Sequence, residues 1–239
     1  MCTSDILPKL MAITITGKTA ISFSGCITQS FIYAFCVDSE FLLLASMAYD
    51  RYVAICIPLR YYQIMSNKLC ALLITVSWFG GFLSAFIICM MVSNLNFCNE
   101  QEINNFFCDI IILLKLSCTD TSLFLTFFIP LDCVILGFLP FTLIIVSYIN
   151  IISTILKIRS SSGRLKTFSS CSSHLTVVVL FYGTSLGLNL KPKTKNSLEI
   201  DKLLSLIYTG VVPMINPLVY SLRNKEVLKA MEIIIKKIK

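Results

Sequence analysis

The sequence predicts an all-α, polytopic membrane bundle, and three observations carry that expectation. The 239 residues are 56% hydrophobic and only 14% charged, with a mean hydropathy of +0.82. A soluble domain of this length needs a charged coat that such a composition cannot supply. Apolar stretches of about 20 residues, enough to cross the hydrocarbon at about 1.5 Å rise per residue, recur along the chain. The basic residues sit largely between these stretches, so the formal net charge of +7 reads as membrane topology rather than nucleic-acid binding.

Spans are expected near 22–50, 69–93, 121–157, 168–190 and 200–222, which makes 1–222 the membrane domain. The third exceeds what a bilayer needs and is expected to run on into water. Pro130, Pro140, Pro213 and Pro217 fall inside apolar stretches, where membrane helices tolerate kinks because neighbours re-satisfy the freed backbone groups. Asp5, Pro8 and Lys9 interrupt the first eleven residues, so no secretory signal peptide is evident and insertion is expected to use a span as signal-anchor. The 51–68 loop with Asp50 at its edge, the 157–167 loop and the tail after 222 together hold thirteen basic residues and three acids, against seven and ten elsewhere. The positive-inside rule makes that set cytoplasmic. Lys191, Lys193, Lys195 and Lys202, in a loop assigned to the outside, run against the trend. In 223–239, Val227, Met231, Ile234 and Ile235 recur at helical spacing opposite Lys225, Lys229 and Lys236. That pattern predicts a basic amphipathic helix on the anionic inner leaflet; a solvated tail is the plainer alternative.

Three runs carry a family resemblance. The first is Met47-Ala48-Tyr49-Asp50-Arg51-Tyr52-Val53-Ala54-Ile55-Cys56, followed by Pro58-Leu59-Arg60-Tyr61. The second runs from Lys166-Thr167-Phe168-Ser169-Ser170-Cys171 through Ser173-His174-Leu175 to Phe181-Tyr182-Gly183-Thr184. The third is Pro213-Met214-Ile215-Asn216-Pro217-Leu218-Val219-Tyr220-Ser221-Leu222-Arg223-Asn224. In this order and on this side of the membrane they resemble the signatures of odorant receptors, within the rhodopsin-like G-protein-coupled receptors. The resemblance implies a seven-helix fold in which residues 1–12 match the outer end of the second helix. Helix one and most of helix two are then absent, along with a core Asn and Asp that neighbour the position of Asn216.

The same resemblance implies roles for particular residues. Asp50, Arg51 and Tyr52 would serve coupling, with Arg51 paired to Asp50 at rest and facing a G protein on activation. Tyr148 and Tyr220 would swing inward to support the active state, and Pro217 beside Asn216 would loosen the last span into a two-state element. The ligand site would lie among the outer halves of the helices. Helical spacing puts Tyr33, Ala34, Val37 and Asp38 toward one face, with Phe41 below, and lines up Tyr182, Ser185 and Asn189 on the next-to-last span. By resemblance these would join Asp132 and, on the last span, Tyr208 and Thr209. A mostly apolar pocket with a few hydroxyls suits small volatile organics; ordinary helix packing is the alternative for any one of these residues. Cys26, Cys98, Cys108 and Cys118 fall in positions assigned to the outside, where disulfides form, and four cysteines allow three pairings. By resemblance Cys26 would pair with Cys108 and Cys98 with Cys118. Their spacing is not that of a zinc site, and no metal or cofactor is implied. Cys36, Cys89 and Cys133 read as small apolar fillers.

Acids inside a membrane are functional candidates by default. Glu40 matches a family acid and reads as structural. Asp38 and Asp132 suggest a basic or strongly hydrogen-bonding ligand, with a protonated acid bonded inside the bundle as the alternative. The implied function is an odorant receptor of the plasma membrane, embedded in lipid, that activates a stimulatory G protein of the olfactory type. The rival is a non-signalling fragment retained in the endoplasmic reticulum. There is neither an inverted repeat pointing to a transporter nor, around the lone His174, a nucleophile–base–orienter set pointing to an enzyme.

Overall fold

The computed structural model describes residues 20–98 and 107–189, with the single positions 11, 15, 17, 103 and 233. The expected span at 200–222 and the amphipathic helix at 223–239 lie outside the described residues. Two compact units divide the chain, Met1–Ile158 and Arg159–Lys239. The described residues contain no strand, only an isolated antiparallel bridge between Phe97 and Ser117. The chain is an all-helical membrane bundle.

In the first unit, helix α1 runs Phe23–Cys56 and α2 runs Asn67–Ser93. A short α3, Ile110–Leu116, follows, and then a long composite helix α4 over Phe124–Leu156. These three long helices are apolar and long enough to cross a bilayer. Serines start the first two: Ser22 accepts from the Gly25 N–H at 3.1 Å and Ser66 from the Leu69 N–H at 3.4 Å. At 34 residues α1 is roughly 50 Å long. It therefore outlasts the expected span 22–50 and continues through Arg51 and Tyr52 to Cys56, just before Pro58. Short turns at Pro58–Arg60 and Tyr61–Ile64 lead back to α2.

Side-chain size sorts the faces of α2. Its buried residues, Ser77, Gly81, Ala85, Cys89 and Val92, recur every three or four positions and are small up to the last turn. Trp78, Phe79, Phe82, Phe86 and Met90 are exposed. In lipid there is no hydrophobic drive between helices, so close backbone approach over small residues supplies the packing while large apolar side chains face the tails. Such a surface would be an aggregation liability in water. α1 packs against both α2 and α4.

α4 is not a uniform α-helix. Wide π-helical turns occupy Phe124–Phe128 and Cys133–Phe138, on either side of a single α turn at Ile129–Asp132. Each π segment contains the residue four before a proline: Thr126 before Pro130 and Leu136 before Pro140. Proline lacks the N–H that would reach that carbonyl, and its ring crowds it, so the ladder widens. The prolines thus produce local unwinding within one continuous helix.

At the Cys26 end, residues 94–98 and 107–123 pack beside the ends of α1 and α2. Cys26, Val92, Cys108, Leu113 and Leu114 form a small core there. Disulfides join Cys26 to Cys108 and Cys98 to Cys118, with Cα–Cα distances of 5.4 and 5.9 Å. Their sequence separations of 82 and 20 correspond to about 4.5 and about 3.3 kcal/mol of lost chain entropy in the unfolded state. In the second unit, α5 spans Ser161–Asn189, starting seven residues before the expected 168. Its buried residues, Cys171, Ser173, His174, Val177, Val178, Phe181 and Tyr182, cover about half of its circumference, and Thr176 and Val179 are exposed.

Candidate functional site

Two groups of the expected residues lie in the first unit, one midway along the spans and one at the Arg51 end. In the middle, Asp38 of α1 is only 8% exposed. Ser84, on α2, donates its hydroxyl to Oδ1 of Asp132 on α4 and lies within hydrogen-bonding reach of Asp38 as well. The serine's one hydroxyl hydrogen goes to Asp132, and Asp38 stands close to that pair. The π turns flanking Asp132 accompany this meeting, since the inserted residues reset which way the helix presents its side chains. Tyr33, Ala34, Val37 and Phe41 are half-buried on α1. The Tyr33 ring lies 5.0 Å from that of Phe107, centroid to centroid.

At the other end, Tyr61 donates its hydroxyl to the Asp50 carboxylate at 2.9 Å. That bond, with partial burial and the charge of Asp50, raises the Tyr61 phenol above its ordinary range. The expected Asp50–Arg51 ion pair is not formed in the structure: among the described residues Arg51 makes none. Consecutive helical residues diverge by about 100°, and the turn after Pro58 delivers Tyr61 to Asp50 instead. A cavity of about 200 Å³ opens beside them, lined by Met47, Asp50, Arg51, Met65, Cys70 and Leu73, among others. Tyr52 is half-buried, with its ring 6.4 Å from that of Tyr49. Tyr148 is buried on α4. Cys56 Sγ and Thr154 Oγ1, 3.2 Å apart, join α1 to α4 at the same end.

On α5, Tyr182 is buried and Ser185 half-buried, while Asn189 closes the helix. Tyr208, Thr209, Asn216, Pro217 and Tyr220 lie outside the described residues. Sequence reasoning missed Ser84, Tyr61 and Phe107. Ser84 stands beside the buried row Ser77–Gly81–Ala85, a pattern visible in the sequence, but nothing there announced its two carboxyl partners.

A family model described as Olfactory receptor matches residues 1–237. The chain is 45% identical to human Olfactory receptor 2T1 over 97% of its length and 63% of that receptor. It is 49% identical to human Olfactory receptor 9G9 over 94% of its length and 73% of the relative. With Olfactory receptor 1 of Rattus norvegicus it shares 45% identity over 97% of its length and 74% of that protein. It thus spans less than two thirds of one of these relatives and about three quarters of the others. With its apolar spans, its Asp50-Arg51-Tyr52 run and this breadth of match, the chain belongs to the olfactory receptor family.

Proposed function

We propose that the chain acts as an odorant receptor, binding small volatile organic molecules within the bundle and activating a stimulatory G protein of the olfactory type at the plasma membrane. The observation that carries this reading is the match to olfactory receptors across residues 1–237. The ligand set is Tyr33, Ala34, Val37, Asp38, Phe41 and Asp132, with Tyr182, Ser185, Asn189, Tyr208 and Thr209. The coupling set is Asp50, Arg51, Tyr52, Tyr148, Asn216, Pro217 and Tyr220. Lipid covers the exposed apolar faces. Ligand binding favours one of two arrangements of the bundle by its differential affinity for them.

Asp38 and Asp132, close to one another beside Ser84, favour an odorant that is basic or donates strong hydrogen bonds, because an apolar wall leaves the carboxyls as its principal acceptors. Surface labelling with odorant-evoked cyclic-nucleotide measurement tests the receptor reading. A surface-exposed chain should respond to some odorants and lose the response in Arg51→Ala. Retention in the endoplasmic reticulum, with rapid degradation, would instead support the non-signalling fragment. Asp38→Asn should weaken responses to amines relative to hydrocarbons by about tenfold or more; an unchanged agonist profile would remove the carboxyls from ligand selection.

A further inference from the structure

We propose that the cavity between α1 and α2 beside Arg51 binds an anionic phospholipid of the cytoplasmic leaflet. The headgroup phosphate sits at Arg51, and one acyl chain leaves along Leu43, Met47, Leu73 and Ile74. The site goes beyond the receptor reading, since neither an odorant nor a G protein is needed to occupy it.

The two helices lay out the pattern of an amphiphile. Leu43, Met47 and Arg51 recur every fourth residue on α1, so they form one stripe that runs from apolar to cationic. Leu73 and Ile74 of α2 line the same cavity from the other side. Farther from Arg51 the helices meet closely over Gly81, where even a Cβ would crowd the backbone of α1. Nearer to it the facing residues are large, and a cavity of about 200 Å³ opens. Ile74 is 52% exposed, so this wall gives onto the hydrocarbon.

Size and charge select the occupant. Pockets that enclose a free small molecule hold about 300–1,000 Å³. This cavity takes only part of a molecule, and the remainder must lie outside it. A lipid meets that condition, because its second chain and the end of its first stay in the bilayer. Arg51 is half-buried and makes no ion pair among the described residues, and a guanidinium holds a phosphate through two parallel hydrogen bonds. Asp50 also lines the cavity, but its carboxylate accepts the Tyr61 hydroxyl. It is the one acid in 50–68, against Arg51, Arg60 and Lys68, so the local balance is cationic. Anionic lipids are concentrated in the inner leaflet, the side to which the positive-inside rule assigns this end.

The full chain in phosphatidylcholine nanodiscs, doped with phosphatidylserine carrying a diazirine on its acyl chain near the glycerol, tests this. After illumination, peptide mapping should find label in 43–51 and 65–74 about tenfold above that from phosphatidylcholine bearing the same group, the share of one charge-assisted contact. The exposed 82–90 stretch should label equally with both lipids. Arg51→Gln should remove the excess, and Arg51→Lys should keep part of it. Leu73→Trp, which fills the cavity and leaves the cation in place, should remove it as well. Equal labelling by the two lipids would overturn the proposal, as would an excess that survives either Arg51→Gln or Leu73→Trp. Labelling in discs that hold one chain but none in discs that hold two would show a second copy in the cavity, and would overturn it too. No odorant takes part, so failure of the receptor reading leaves this result standing, and the reverse holds equally.

Discussion

Asp109 closes the first turn of α3 from outside the helix, its carboxylate accepting from the N–H groups of Ile111 at 2.7 Å and Ile112 at 3.4 Å. Those bonds favour the charged form, as does Lys115, yet burial outweighs them and holds the carboxyl above its ordinary value of 3.8. The folded loop therefore binds a proton more tightly than the unfolded one. Its stabilising share is fully present below the ordinary value and is lost as pH rises through the raised one. Hydrogen exchange at Ile111 and Ile112, corrected for its intrinsic pH dependence, should show the greatest protection at the acid end. Asp109→Asn should flatten that profile. Greater protection at neutral pH in the unmodified chain would contradict the assignment. At the half-buried Tyr61 the hydroxyl bond to Asp50, rather than burial, is the largest cause of the upward shift.

Among the elements, the crossing of α1 and α2 depends on what is missing at Gly81. A Cβ there would stand 2.7 Å from the backbone nitrogen of Ser39 and 3.1 Å from the Phe35 carbonyl oxygen, both on α1. Backbone atoms cannot swing aside as side chains do, so Gly81→Ala should push the helices apart and cost about 1–3 kcal/mol. Gly137, with open space around it, should tolerate alanine at little cost. Thermal unfolding of the two variants in one detergent would separate them, and equal midpoints would refute the close-contact account. The buried Ser39 Oγ has no hydrogen-bond partner among the described residues, which reflects the same tight approach. This crossing shows what was legible in the sequence and what was not. The expected span 69–93 differs from α2 by two residues, because apolar length is a property of the segment alone. Which residue of α1 meets Gly81 depends on two segments at once. So does the bond from Ser84 to Asp132, and so does Tyr61 reaching Asp50 in place of Arg51. The π turns of α4 fall between these cases: Pro130 and Pro140 marked a disturbance, but not whether the helix would bend or widen.

For the whole molecule, orientation follows from charge rather than packing. Thirteen basic residues lie in the 51–68 and 157–167 loops and the tail after 222, against seven elsewhere. Lys and Arg near span ends are retained on the cytoplasmic side during insertion, whereas acids contribute little. Arg51, Arg60 and Lys68 are accordingly expected inside, and the disulfides Cys26–Cys108 and Cys98–Cys118 in the oxidising compartment. The two expectations are independent, since one uses charge and the other redox chemistry, and both assign the same sides. The sequence contains no Asn-X-Ser/Thr glycan acceptor, so a single engineered acceptor reports its side without background. Placed in the 99–106 stretch it should be glycosylated, with a mass shift reversed by endoglycosidase. Placed in the 157–160 stretch it should remain unmodified. The Lys191, Lys193, Lys195 and Lys202 cluster opposes this orientation, so replacing those four with serine should leave the 99–106 acceptor fully glycosylated. The reciprocal change of Arg159, Arg164 and Lys166 to serine should produce a mixed population. Glycosylation of the 157–160 acceptor with the native basic residues kept would invert the topology and place Arg51 beyond the reach of any cytoplasmic partner.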